Sequence, residues 1–185
     1  MTRFSKFCLL LTIGSFAARA GVSAAPAVDV DTFVKSAREG DVAVLSRLLT
    51  AGVAPDVLDS QGETALGWAT FNGHTDAVQA LIRAGADVNL KNKFGNSPLI
   101  YAAAKGHTEI LQILIDGGAK PLEVGRGDLT PLVLAARDGH SETVQVLLDR
   151  NRGSGPGHAV ALRAARRRGH KHVVSLLLGF LGSGG

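Results

Sequence analysis

Cysteine is almost missing from this chain of 185 residues. The single one, Cys8, lies near the start, so the rest has no thiol for a disulfide, a thiolate metal site or a cysteine nucleophile. Such a chain suits an oxidising compartment, where a stray thiol is a liability. Long apolar runs are missing too. The longest, Phe7 to Ala18, covers 12 residues, or roughly 18 Å as a helix, short of a ~30 Å bilayer core. A basic excess is missing once the first residues are set aside. The whole chain carries +4, but Arg3, Lys6 and Arg19 account for three of those charges, leaving 17 basic against 16 acidic residues. The pI of about 9.6 is therefore no argument for a nucleic-acid binder. With 45% apolar and 19% charged residues the composition is that of a globular protein.

Catalytic signatures are also missing. The sequence holds no zinc-protease helix motif, no serine nucleophile elbow and no phosphate-binding glycine loop. Gly153-Ser154-Gly155-Pro156-Gly157 lacks the lysine and hydroxyl a nucleotide loop needs. His158, His170 and His172 lie close in sequence but have no carboxylate or thiol support, so no metal and no cofactor are expected.

The first residues read as a signal peptide. Arg3 and Lys6 supply the positive region and Phe7–Ala18 the apolar one. Ala18-Arg19-Ala20 and Val22-Ser23-Ala24 are small-residue cleavage motifs, the second favoured, giving a leader of 1–24 and a single domain over 25–182.

The domain repeats itself. Gly40-Asp41, Gly73-His74, Gly106-His107 and Gly139-His140 recur every 33 residues, and Gly169-His170 follows after 30. Thr64-Ala65-Leu66, Ser97-Pro98-Leu99 and Thr130-Pro131-Leu132 keep the same 33, as do Leu81-Ile82, Leu114-Ile115 and Leu147-Leu148. In each unit a hydroxyl followed by proline or alanine starts a first helix. Alanines at 69, 102, 103, 135 and 136 let helices approach closely, and the glycine ends that helix in a turn. A second helix shows apolar residues at helical spacing: Ile110, Leu111, Leu114 and Ile115 in one copy, Val144, Leu147 and Leu148 in the next. Polar turns such as Asp87 to Gly95 project as fingers. The repeated histidines are read as turn residues bonding to local backbone.

The stretch GNSPLIYAAAKGHTEILQILIDGGA resembles the ankyrin-repeat family, and the likeness runs over about residues 29–181. It implies an all-α solenoid of about five helix-turn-helix repeats with short β-turn fingers, with units near 29–61, 62–94, 95–127, 128–156 and 157–181. There are departures. The histidine that usually follows Thr-Pro-Leu is replaced by Gly67, Ile100 and Val133. The hydrogen-bond ladder it makes between repeats is expected to be absent, with apolar packing in its place. Gly127-Asp128 suggests a reshaped finger, and the short junction at Arg152–Gly157 a flexible loop. Unit one, with Lys35, Arg38, Asp41 and Arg47, reads as an N-terminal cap. Unit five, with Arg163, Arg166–Arg168 and Lys171, reads as the C-terminal one, its last helix stopping at Gly179 so that Phe180 and Leu181 fold back over the end.

In this family partners bind a concave face of finger tips and first-helix ends. Mapping its variable positions here gives the rungs Arg38/Glu39, Phe71/Asn72, Ala104/Lys105, Arg137/Asp138 and Arg167/Arg168. The finger positions are Ser60, Gln61, Glu63, Lys93, Phe94, Asn96, Arg126 and Leu129. Phe71 and Phe94 stand where the repeat needs no apolar residue; they either anchor a partner or pack against adjacent fingers. Trp68 and Tyr101 share a position with Leu134 and are read as inter-repeat packing, with partial exposure as the alternative. Charge is uneven: residues 25–149 hold 10 basic and 16 acidic side chains, residues 150–185 seven basic and no acidic ones. Part of that is cap solvation, and a single-sign end also suits an acidic partner or surface.

The resemblance thus implies a non-enzymatic, monomeric protein-binding module without small-molecule substrate, nucleic acid or membrane span. The leader places it in the periplasm of a Gram-negative bacterium, with secretion as second choice. Small exported bacterial proteins of this family resemble a group linked with catalase and peroxide protection. The alternatives are an immunity protein occluding a secreted toxin and an effector binding a host protein.

Overall fold

A computed structural model describes residues 30–125, 127, 129–150 and 157–182. Residues 1–24, read above as a leader, and the junction residues 151–156 lie outside the described residues, as do Arg126 and Asp128. Among the described residues there are ten helices and no strand. They form five consecutive pairs: α1 (Val30–Glu39) and α2 (Val42–Thr50), α3 (Ala65–Asn72) and α4 (Thr75–Arg83), α5 (Pro98–Lys105) and α6 (Thr108–Asp116), α7 (Pro131–Asp138) and α8 (Ser141–Arg150), α9 (His158–Arg168) and α10 (Lys171–Gly182). Odd-numbered helices pack on odd-numbered neighbours and even on even, so the pairs stack in chain order. No helix among the described residues is long and apolar enough to cross a membrane.

Local sequence explains the starts of α3, α5 and α7. Thr64, Ser97 and Thr130 accept from the backbone N–H three residues on, at 2.8, 3.4 and 3.3 Å. Pro98 and Pro131 occupy the first helical turn, where no amide partner is lost. Packing then supplies what such short helices lack on their own. Ala69, Ala102, Ala103, Ala135 and Ala136 are fully buried between odd helices, where a larger side chain would hold the backbones apart. Leu81, Leu111, Leu114 and Leu147 are buried from the even side, each contributing roughly 1.5–3 kcal/mol.

The junctions carry a hydrogen-bond ladder after all, made by a different histidine. The Nε2 atoms of His74, His107, His140 and His170 lie 3.0, 3.4, 3.1 and 3.0 Å from the carbonyl oxygens of Arg38, Phe71, Ala104 and Arg137. Each carbonyl belongs to the last turn of the preceding odd helix, so these bonds join units and are not local. A carbonyl only accepts, so Nε2 carries the proton. The ladder fixes the preceding glycine. Gly106 has φ +72°, and a Cβ there would land on the His140 ring; Gly40, Gly73 and Gly139 face the next histidine in the same way. The ends of the stack differ accordingly. In the first described unit Asp41 stands in place of the histidine, its Oδ1 accepting from Val44 N at 3.0 Å. Gly169 has no ring over it.

One further expectation needs correction and one holds. Helix α10 does not stop at Gly179 but runs to Gly182. Val173, Leu177 and Phe180 keep helical spacing and pack on the core, and Phe180 stacks on His158 with ring centroids 5.4 Å apart, which carries the helix through the glycine. The third finger (between α6 and α7) is set apart as expected: its positive φ, +72°, falls at Gly127, one residue ahead of the register of Gly62 (+70°) and Gly95 (+79°), whose place Asp128 takes. Gly125, at its start, also brings no side chain.

Candidate functional site

Three fingers join the pairs: α2 to α3, α4 to α5, and α6 to α7. One closing bond recurs in all of them, from Asp59 N to Glu63 O, Asn92 N to Asn96 O and Gly125 N to Leu129 O, each 2.9 Å. In the first two fingers the side chain at the turn start adds a second tie. Asp59 Oδ1 accepts from Gln61 N and Glu63 N at 2.8 Å, and Asn92 Oδ1 from Phe94 N and Asn96 N at 2.9 and 3.0 Å. These are short local bonds of the kind that hold such residues in turns. Gly125 has no side chain to offer.

Where the first two fingers meet the odd helices, polar groups saturate one another. Glu63 is 7% exposed and Asn92 5%. Glu63 Oε2 accepts from Tyr101 Oη at 2.7 Å and from Asn92 Nδ2 at 2.6 Å, while Oε1 accepts from Thr64 N at 3.0 Å. Burial, and then the hydrogen bond to Glu63 and its charge, push the Tyr101 phenol well above its ordinary range. A Cβ at Gly67 would strike the Glu63 carboxylate, so the glycine that replaces the usual histidine makes room for this buried acid. Glu63, expected on the binding surface, is a buried tie between units.

Beside this knot runs an aromatic strip. Trp68 donates its indole N–H to Asp59 Oδ2 at 2.9 Å. Its ring meets Phe71 edge-on at 6.0 Å, and Phe71 meets Tyr101 edge-on at 5.4 Å. Arg38 lies 5.5 Å over Trp68 and Lys105 Nζ 4.1 Å over Phe71. All three rings are partly exposed. Phe71 thus packs between units through rings while keeping one side open. Phe94 is on the second finger, 50% exposed, with Lys93 Nζ 5.1 Å from its ring.

Past Tyr101 the surface opens into an apolar pocket of about 310 Å³ between α5 and α7. It is walled by Phe71, Ile100, Tyr101, Leu129 and Leu134, with Asn96 and Gly125 completing it. Its cause is readable in the register. Shifting Glu63, Asn92 and Tyr101 by 33 residues gives Asn96, Gly125 and Leu134. The knot is lost, and its space is left empty.

The structure brings Arg38, Phe71 and Lys105 together with Trp68 and Tyr101. Asn72 is spent on backbone, its Nδ2 donating to Arg38 O and Trp68 O at 3.1 and 3.2 Å. Glu39 faces Lys35 at 3.9 Å on an exposed surface. Arg137 and Asp138 bind each other through two hydrogen bonds of 2.9 and 2.7 Å, and the guanidinium holds the Asp138 carboxyl below its usual range. Arg167 and Arg168 are exposed at the end of α9, one turn of the stack away from the pocket. Sequence reasoning missed the pocket and the roles of Asp59 and Asn92. The signal was there as the series Asp59, Asn92, Gly125 at spacing 33, in which the third member breaks the chemistry of the first two.

A family model describing three copies of ankyrin repeats matches residues 33–125, and a single ankyrin-repeat model matches 127–159. The chain belongs to the ankyrin-repeat family, whose members are interaction modules for other proteins. No curated protein matches it.

Proposed function

We propose that the chain is a non-enzymatic, monomeric binding module whose protein partner docks on the concave face, over Trp68, Phe71 and Tyr101. The observation that carries this reading is the aromatic strip itself: three edge-packed rings, each partly open, with Arg38 and Lys105 over them. Tryptophan, tyrosine and arginine are the residues that most often dominate binding energy at protein interfaces. Of the positions mapped from the repeat, Lys93, Phe94 and Asn96 extend the face towards the fingers, and the exposed Arg167 and Arg168 end it.

We further infer export to the periplasm, on the pattern of residues 1–24. A phosphatase reporter fused after residue 40 is expected to be active and to lose about 2.5 kDa on processing; an unprocessed cytoplasmic product overturns the export. A catalase or another peroxide-stress protein is the first partner to test, on the family resemblance alone. Deletion then separates the readings: peroxide sensitivity supports this one, self-intoxication beside a toxin gene an immunity protein, and protein found outside the bacterium a host-directed effector. The binding reading is tested by affinity capture from the periplasm with the wild type, Phe71→Ser and Arg38→Glu. Loss of one partner in both variants, with helix content intact, supports it; capture that ignores both overturns it.

A further inference from the structure

Resting on the protein-binding reading, the inference concerns what the partner presents. The pocket between α5 and α7 is lined mostly by apolar side chains and is large enough for one bulky side chain. An empty apolar recess beside exposed rings gains most from a group that removes both from water. Of the charges around it, the ones not tied up by a hydrogen-bond or ion-pair partner are positive. Lys105 Nζ stands over Phe71, a wall of the pocket, and Arg38 stands two rings away over Trp68. The nearby acidic side chains are already engaged: Glu63 by Tyr101, Asn92 and Thr64, Asp59 by Trp68 and its own turn, Asp138 by Arg137. Among the described residues Lys105 and Arg38 make no ion pair and are held against rings, where they remain available to a carboxylate.

We propose that this pocket receives a leucine or phenylalanine side chain from an acidic segment of the partner, whose flanking carboxylates meet Lys105 and Arg38. The segment is recognised by two features together. The apolar side chain supplies burial, and the carboxylates supply orientation and reject basic segments, since like charges facing each other are costly.

Trp68, the only tryptophan, sits against Phe71 and reports occupancy by its fluorescence. The probe is a short synthetic peptide with one phenylalanine flanked by glutamates. Its controls carry lysines for the glutamates, or alanine for the phenylalanine. The acidic phenylalanine peptide is expected to change Trp68 emission saturably and to bind at least about tenfold tighter than either control, tenfold being about 1.4 kcal/mol. Leu134→Tyr, which refills the pocket with the ring found at that register in the preceding unit, is expected to weaken it about tenfold or more. So is Lys105→Glu, a surface change that leaves the fold alone. Should Leu134→Tyr not fold, Leu129→Asn tests the same wall with the residue of the second finger. Equal binding of the three peptides, or binding that ignores both the pocket and Lys105 variants, overturns the inference. Competition separates it from the reading beneath it. A partner whose capture needs Phe71 but which the acidic phenylalanine peptide does not displace overturns this inference alone. Capture independent of Phe71 overturns both.

Discussion

Glu63, Asn92 and Tyr101 close the junction between the second and third helix pairs with three mutual hydrogen bonds of 2.6 to 2.7 Å. One unit further along, the same register holds Asn96, Gly125 and Leu134, and the junction is an open apolar pocket. The backbone ties that the two junctions share do not cause the difference. Both fingers close with the same 2.9 Å bond, and both junctions carry a histidine rung, to Phe71 O at 3.4 Å and Ala104 O at 3.1 Å. Stacking is therefore carried by positions the three middle units share: the capping hydroxyl, the alanines, the leucines and the glycine-histidine pair. That frees the finger-facing positions to vary, and a repeat can trade a polar tie for a recess without losing its neighbour.

The largest expected effect comes from breaking the closed junction. Glu63→Ala leaves the Tyr101 hydroxyl, an Asn92 amide hydrogen and the Thr64 N–H without their acceptor. Each buried group left unsatisfied costs about 1–3 kcal/mol, so a loss of roughly 2–4 kcal/mol is expected in denaturant unfolding. Asn96→Ala, at the equivalent position of the open junction, is expected to cost less than about 1 kcal/mol, because less is buried around it. Similar costs at both positions mean that the two junctions are not energetically different.

The next effect tests the scaffold they share. Gly106→Ala meets both a left-handed backbone and the His140 ring. Gly169→Ala meets only the backbone conformation, at φ +77°, which costs an alanine about 1–2 kcal/mol. Gly106→Ala is expected to cost clearly more, and the excess is lost in Gly106→Ala combined with His140→Ala. If the two glycines respond alike, the histidine seat adds nothing to stacking.

How much of this the sequence displays depends on where each partner lies. Caps, buried alanines and helix-two leucines are legible because their partners are neighbours in sequence or follow the helical period, as in Thr64 with Gly67 N or Leu111 with Leu114. The histidines are misread as local because their partners lie 33 to 36 residues back. A histidine recurring beside each later turn glycine, with Asp41 in its place in the first described unit, is the visible trace of that bond. Glu63 reads as surface because it is charged and sits in a finger, and only the missing side chain at Gly67 shows where its carboxylate goes. The pocket is hardest to see, being made by what Gly125 and Leu134 do not provide. The end of α10 is misplaced because a glycine reads as a stop, although Val173, Leu177 and Phe180 keep the helical spacing across it.

The smallest effect is spectroscopic and compares the two environments with one probe. Tyr101 is the only tyrosine, so tyrosinate absorbance reports it alone. Its pKa in the fold is raised by burial and by Glu63, against 10.0 for a free side chain. The neutral phenol is thus favoured in the native state. Its contribution to stability is complete below pH 10 and is lost as pH rises beyond that towards the folded value, because the unfolded chain releases the proton first. Native protein taken above pH 10 is expected to show no tyrosinate until helix content falls, and then both together. Moving the ring sharpens the test. In Tyr101→Phe with Leu134→Tyr, the phenol occupies the same register one unit on, beside Asn96 and Gly125 and with no carboxylate partner. It is expected to ionise close to the ordinary tyrosine value of about 10, with the helical signal still intact. Ionisation of both proteins at the same pH means that the Glu63 knot, and with it the contrast between the two junctions, does not exist in solution.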